Sequence, residues 1–155
     1  MNEDEQIQLK KELLYGCQRF VKEKMQQLEI AMKAARDAGN DETKSSTGDK
    51  HETGKAMMQL EQEKIGIQLG EMQQLHKILD GIPIVLSKSK ITAGSVILTN
   101  HGMFYISVAA GKISFDNLSF IAISGLSPLG QLFLNTSIGL VVEFRSTYYT
   151  IIEAF

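Results

Sequence analysis

Two acidic residues, Asp49 and Glu52, lie three positions apart in a polar stretch between two long helix-like segments. Residues at this spacing share one face of a helical turn, so both carboxylates can point the same way. Such a pair can offer one or two oxygens to a Mg²⁺ ion that keeps most of its waters. Because so few ligands hold the ion weakly, the spacing predicts an acid pair that completes a metal site in a partner, such as a two-metal phosphodiester cleavage centre.

The same two residues also fit a purely structural role. They match a capping box, in which Asp49 caps the second helix and Glu52 reaches back to the backbone of Asp49. Acids at this position also interact favourably with the positive end of the helix dipole. The residue types alone leave both interpretations open. Asp41 and Glu42 lie close enough in sequence to add to the same negative field.

Two helical segments are predicted to position these acids. No proline occurs between residues 9 and 37, and the apolar residues there recur mostly at helical spacings of three and four. These residues are Leu9, Leu13, Cys17, Phe20, Leu28, Ala31 and Ala35. The segment Ala38-Gly39-Asn40 is a typical stop signal, so we expect the first helix to end there.

The second helical segment carries a heptad pattern. Met58, Ile65, Met72 and Leu79 are each seven residues apart, which is coiled-coil spacing. We expect Met57 to pack in the same interface, because methionine fills irregular gaps. Residues 1–80 are therefore predicted to form an antiparallel coiled-coil hairpin with its tip near residues 38–54.

Residues 81–155 are predicted to form a separate small domain. Gly81 and Pro83 end the second helix, and the apolar period then changes from helical to two. Turn residues separate the short strands at Asn100-His101-Gly102, Asp116-Asn117 and Arg145-Ser146. Ser127 and Pro128 suit the start of a short helix. The pattern predicts a compact antiparallel sheet with one short helix, and hence an α+β protein.

Composition and charge narrow the possible partners. The 155-residue chain has a net charge of −2 and no strongly basic region, so we expect no sequence-specific DNA binding. No apolar run approaches the roughly 20 residues that span a bilayer, so we expect no membrane partner. The acidic start MNEDEQ does not resemble a signal peptide, which favours a cytoplasmic location. The single cysteine, Cys17, is expected to be a small core residue.

Two segments resemble the Gre family of bacterial transcript-cleavage factors, which bind RNA polymerase. The family's hairpin tip has Gly-Asp, two further residues and Glu, and residues 48–53 of this chain read GDKHET. In the family's C-terminal domain, Ser-Pro-hydrophobic-Gly opens a helix that leads through a glycine into an acidic-hydrophobic strand. Residues 127–134 read SPLGQLFL, and residues 139–144 read GLVVEF. The order of the two parts also agrees, so the resemblance covers nearly the whole chain.

The resemblance implies a specific function. The coiled coil would enter the secondary channel of RNA polymerase, and Asp49 and Glu52 would support a catalytic Mg²⁺ shared with the polymerase active site. No cofactor would be bound tightly by this chain. The chain would be no enzyme itself but an activator of the polymerase's own cleavage of backtracked RNA, touching the nascent RNA 3′ end only indirectly. The C-terminal domain would be FKBP-like and dock at the channel rim, with Ser127, Pro128, Leu129 and Gly130 as partner-binding residues.

The chain also departs from the family pattern. Residues 35–39 fit the usual lead-in to the tip, but Asn40 stands where the family has Asp, and a second Gly-Asp follows nine residues later. The working acids are therefore either Asp41 with Glu42 or Asp49 with Glu52, and only the second pair keeps the three-residue spacing. Lys55 would dilute the negative field. Two other functions follow: a secondary-channel regulator of initiation or pausing without cleavage, and a coiled-coil adaptor for an unrelated protein.

Overall fold

The computed structural model describes residues 1–44 and 48–155, with side chains described for 1–41 and 52–155. Two long helices, α1 (Glu3–Lys44) and α2 (Gly48–Asp80), come first. After them come β1 (Val96–Thr99), β2 (Gly102–Ser107), β3 (Gly111–Phe115), β4 (Leu118–Ser124), α3 (Pro128–Leu134), β5 (Val141–Phe144) and β6 (Thr147–Ala154). This order confirms the α+β class.

The six strands form one sheet in the order β3-β4-β2-β1-β6-β5. Neighbouring strands pair antiparallel except β2 and β4, which are parallel, with Phe104 opposite Ile121. The prediction of a purely antiparallel sheet is wrong at this pair. The reason is burial: β4 has apolar side chains turned to both faces and takes an interior place, whereas the more polar β3 lies at the edge.

The turns between strands occur at the positions predicted from the sequence. The Asn100-His101-Gly102 segment joins β1 to β2, and the Asn100 side chain also bonds to β6 through the backbone of Tyr148 and Thr150. The Arg145-Ser146 turn joins β5 to β6 with both residues at positive φ, 50° and 63°. Two consecutive positive φ angles give the right-handed twist that a two-residue hairpin needs.

One compact unit contains residues 1–20 together with residues 77–155. On one face of its sheet, Phe133 of α3 packs against Phe104 and Tyr149, with ring centroids 5.1 and 5.9 Å from the Phe133 ring. The opposite face is covered by the start of α1. Gly16 lets this helix approach the sheet, since a Cβ there would already lie 3.4 Å from the Phe120 ring.

Cys17 is a core residue, as predicted. Its side chain is fully buried, and its Sγ lies 3.8 Å from Ser107 Oγ on β2. Burial raises the pKa of the thiol to about 11, so the group stays protonated near neutral pH. A buried, protonated thiol is a poor nucleophile, which agrees with a packing role.

A buried lysine lies two turns of α1 before Cys17. Lys10 is only 2% exposed, and its Nζ donates to the carbonyl oxygen of Val85 at 2.6 Å. Burial lowers the pKa of the Lys10 ammonium from 10.5 to about 8. Gln6, one further turn back, is also buried and donates to Glu153 Oε1 at 2.8 Å. Together these bonds fasten α1 to the segment after α2 and to β6.

The second compact unit is a helical hairpin of residues 21–76. Buried or half-buried side chains alternate at spacings of four and three on α1 at residues 25, 28, 32, 35 and 39, and on α2 at residues 58, 62, 65, 69 and 72. Gly39 lies beside Met58, and Gly66 lies beside Met32. These contacts place the two helices in an antiparallel register and confirm the heptad at Met58, Ile65 and Met72.

Two predictions about the hairpin are wrong. The segment Ala38-Gly39-Asn40 does not end the first helix, because α1 continues to Lys44. A glycine inside a helix costs about 1 kcal/mol, and the packing of this turn of α1 against Met58 and Gln62 of α2 outweighs the local preference of glycine. Met57 does not pack in the interface either; its side chain is mostly exposed, since it points away from α1.

Candidate functional site

The acidic residues lie where α1 and α2 are joined. Asp41 is in the last turn of α1, Glu52 is in the second turn of α2, and both side chains are exposed. The backbones of Glu42 and Asp49 are helical, whereas their side chains lie outside the described residues. The structure thus brings a member of each predicted acid pair to the same end of the hairpin.

The predicted capping box falls in the first turns of α2. Helix α2 begins at Gly48, so the backbone of Asp49 already lies inside the helix rather than in the flanking position of an N-cap. The side chain of Asp49, whose bond to the backbone defines the box, lies outside the described residues. Glu52, its predicted partner, is exposed to solvent.

A groove of about 370 Å³ lies between the helices next to these acids. It is lined by Arg36, Gly39 and Asn40 of α1 and by Lys55, Gln59 and Gln62 of α2. The two cations and three amides supply many N–H donors, and Arg presents them in a planar fork that suits phosphate oxygens. The acids therefore share the end of the hairpin with a cationic groove.

The groove follows from the antiparallel register. Gly39 leaves room in the wall, and Gln62 Nε2 crosses to the Ala35 carbonyl at 3.5 Å. Lys55 was recognised from the sequence as a cation near the acids, but the groove was not. The groove could have been predicted from the sequence, because Lys55, Gln59 and Gln62 are spaced four and three residues apart. This spacing puts polar side chains on one face of α2.

The described side chains do not form a resident metal site. No group of three His, Cys, Asp or Glu side chains able to hold an ion occurs among residues 1–41 and 52–155. Asp41 and Glu52 are single exposed carboxylates, whereas a tightly held divalent cation needs several protein oxygens.

The segment predicted to bind a partner is tightly built. Ser127 caps α3 by accepting from the Gly130 N–H at 3.1 Å, and its hydroxyl donates to the Ser124 carbonyl at 2.7 Å. These bonds confirm Ser127 as the N-cap and Pro128 as the first helical residue. Gly130 is obligatory for packing, because a Cβ there would overlap the Ser124 carbonyl oxygen.

One exposed residue next to this segment was not predicted. Leu126 is 87% exposed, although Leu129, three residues later, packs against the core of the sheet. Its backbone is fixed by a bond from its N–H to Ser124 Oγ at 3.1 Å. A single exposed apolar side chain is common on protein surfaces and does not by itself mark an interface.

Three comparisons with known proteins complete the description. No protein-family model, no curated protein and no solved structure matches the chain. The Gre resemblance accordingly rests on the residues quoted above. None of the helices in the described ranges has an apolar stretch long enough to cross a membrane.

Proposed function

We propose that this chain is a Gre-like factor that binds bacterial RNA polymerase and stimulates cleavage of backtracked RNA. The observation that carries the proposal is the exposure of Asp41 and Glu52 at the joined end of a closed antiparallel hairpin. The hairpin rises about 30 Å from residue 21 to residue 41, at 1.5 Å per residue. A paired helix of this length can carry charge into a narrow opening.

In this proposal the polymerase does the chemistry. The acids of this chain add negative charge beside the polymerase's own metal centre and accept hydrogen bonds from the attacking water. Asp49 and Glu52 remain the favoured pair, because a spacing of three residues is the one at which two carboxylates share a face of a helical turn. Asp41 and Glu42 are the alternative pair.

The sheet unit supplies the second half of the proposal. We take it to be FKBP-like and to dock at the channel rim through Ser127, Pro128, Leu129 and Gly130. The hydrogen bonds that fix the geometry of this turn support a docking role. A cytoplasmic location follows from the polymerase as partner.

The direct test is a cleavage assay on reconstituted backtracked elongation complexes. Wild-type protein is expected to shorten the RNA 3′ end faster than polymerase alone, and to bind the polymerase in a competition assay. Failure to bind would remove this proposal and leave the adaptor function. Binding without stimulation would favour the regulator that lacks cleavage activity.

Paired substitutions then choose between the acid pairs. Asp49→Ala with Glu52→Ala is expected to abolish stimulation but leave binding intact, whereas Asp41→Ala with Glu42→Ala is expected to retain it. The matched control is Glu29→Ala with Glu63→Ala, which removes two exposed acids elsewhere on the hairpin. If only the substitutions at Asp41 and Glu42 abolish stimulation, these two residues are the working acids, and the three-residue spacing does not identify the functional pair.

One observation favours the function without cleavage. Arg36 and Lys55 in the groove place positive charge next to the acids and weaken their combined field. If this weakening decides the function, Lys55→Glu should create or increase cleavage by a protein that otherwise only binds. If Lys55→Glu does not increase cleavage, the positive charge of the groove is not the reason for the inactivity.

A further inference from the structure

The groove between α1 and α2 is lined by hydrogen-bond donors that the described part of the chain leaves unused. On α1, Arg36 and Asn40 are four residues apart, so both side chains lie on one face of the helix. On α2, Lys55 and Gln59 have the same spacing. Among the residues that the structure describes, none of these four side chains has a hydrogen bond or an ion pair. The groove therefore keeps these donors available for a ligand.

The composition of the lining favours an anion as that ligand. Of the six described residues that line the groove, two are cations and none is acidic. The Arg36 guanidinium presents five N–H groups in a planar fork, and the Lys55 ammonium presents three more. Three amide side chains, those of Asn40, Gln59 and Gln62, add further N–H donors.

A phosphate group matches this lining better than a carboxylate does. A terminal phosphate carries about −1.5 to −2 charges near neutral pH and has three strong acceptor oxygens, whereas a carboxylate has one charge and two oxygens. Two cations can neutralise such a phosphate while the amides bond to the oxygens that the cations leave open. The groove volume of about 370 Å³ is near the lower end of the roughly 300–1,000 Å³ of small-molecule sites, so the ligand should be small.

We propose that the groove binds the terminal phosphate of a small molecule, either inorganic phosphate itself or a phosphomonoester such as a nucleoside monophosphate. Arg36 holds two phosphate oxygens through its fork, and Lys55 holds the third from the facing helix. This inference goes beyond the polymerase proposal and does not depend on it, because it uses only side chains of the two helices.

The same chemistry argues against an RNA strand as the ligand. Each phosphodiester of RNA carries one charge, and a strand is held by cations that follow its backbone over several nucleotides. The groove instead concentrates two cations at one place between two facing helices. Asp41 and Glu52 lie at the same end of the hairpin and repel a polyanion that extends past the groove.

Nuclear magnetic resonance titration of the full chain with inorganic phosphate tests the proposal directly. The side-chain NH₂ signals of Asn40, Gln59 and Gln62 report contact within the groove, and they should shift and saturate with a Kd on the order of 1 mM. The affinity should be this weak because Arg36 and Lys55 are exposed to solvent and salt. Sodium acetate at the same ionic strength is the control and should give no saturating shift.

A second titration with adenosine monophosphate distinguishes the two sources of the phosphate. Tighter binding than that of inorganic phosphate indicates a nucleotide, and equal affinity indicates that the phosphate alone is recognised. Either result supports a phosphate site in the groove.

Matched substitutions locate the site. Arg36→Gln and Lys55→Gln should each raise the phosphate Kd at least about fivefold, because each removes one of the two charges that hold the dianion. Lys33→Gln on α1 and Lys64→Gln on α2 are the controls, since both lysines are exposed and lie outside the groove lining. The controls should change the Kd by less than about twofold, because salt screens distant charges. Circular dichroism of all four variants checks that the helices are retained.

Several results would overturn the proposal. Phosphate could cause no saturating shift up to about 20 mM, well above the expected Kd, or acetate could cause the same shifts. The groove variants could bind phosphate as wild type does, or the control variants could lose as much affinity. A short RNA with a 5′-hydroxyl end could shift the NH₂ signals when phosphate does not, which would assign the groove to RNA. None of these results bears on the cleavage assay, so the failure of one proposal is separable from the failure of the other.

Discussion

The helical hairpin and the sheet unit bury their apolar residues in different ways. In the described part of residues 21–76, Val21, Ala35 and Ile65 are the buried apolar residues, and the rest of the interface is half exposed. The sheet unit instead buries side chains on both faces, under α3 on one and under the start of α1 on the other. The single row of contacts between the two helices can accommodate a change in side-chain size, whereas a sheet that is covered on both faces cannot.

The glycines show this difference most clearly. In α3, a Cβ at position 130 would overlap the backbone of Ser124, which cannot move without disrupting the turn. In the hairpin, a Cβ at position 39 would make ordinary contacts of 3.5 Å with Met58 and Gln62. The same substitution should therefore have opposite effects in the two regions.

The largest expected effect is that of Gly130→Ala. Because the overlap is with a backbone carbonyl, we expect the free energy of unfolding to fall by about 3 kcal/mol or more. Urea unfolding followed by tyrosine fluorescence measures this loss. Gly70→Ala, on an open face of α2, is the control and should not destabilise the protein. A loss below about 1 kcal/mol for Gly130→Ala would show that the turn can adapt.

A pH-dependent effect of intermediate size is expected from Lys10. Its folded-state pKa of about 8 is below the unfolded value, so the unfolded chain binds more protons between pH 8 and 10.5. Lys10 therefore destabilises the fold fully below pH 8, and this penalty disappears as the pH rises to 10.5.

The difference between wild type and Lys10→Met isolates this effect. The buried Cys17 thiol acts in the opposite sense, because its raised pKa makes stability fall between pH 9 and 11. Cys17 is present in both proteins, so its contribution cancels in the difference. The wild-type protein should gain stability relative to Lys10→Met between pH 8 and 10.5 in urea unfolding. A difference that does not change with pH would contradict the burial of the ammonium group.

The smallest expected effect, and the one of opposite sign, is that of Gly39→Ala. The substitution removes the entropic cost of glycine in a helix and should stabilise the hairpin by about 0.5–1 kcal/mol. Hydrogen exchange of α1 amides near residue 39 is the suitable measurement, since it reports local opening. Faster exchange in the variant would mean that Met58 and Gln62 cannot give way to a methyl group.

Local signals explain most of what the sequence predicted correctly. The strands, their turns and the Ser127 cap follow from alternation and from turn residues within a few positions of each other. The parallel pairing of β2 with β4 was missed because it depends on which strand buries more surface in the finished sheet. The false stop at Gly39 has the same cause: packing against α2 overrides the local preference of glycine.

The burial of Lys10 could have been predicted from its position in the helix, although its charge suggested exposure. Gln6, Lys10, Leu13 and Cys17 follow one another at spacings of four, three and four, so they share one face of α1. Residue type suggested solvent for Lys10, but its position on this face placed it in the core. The groove at Arg36 and Lys55 was missed for a related reason, because it exists only in the register of two helices.

The most direct test of the account neutralises one carboxylate at the end of the hairpin. Glu52→Gln keeps the shape of the side chain and removes its charge, and Glu63→Gln makes the same change further along α2. In the backtracked-complex assay, Glu52→Gln should slow cleavage at least about tenfold, the size expected for loss of one charge in a catalytic centre. It should bind polymerase as wild type does, and Glu63→Gln should behave as wild type throughout. Equal cleavage by wild type and Glu52→Gln would contradict the claim that the hairpin delivers this acid to the polymerase.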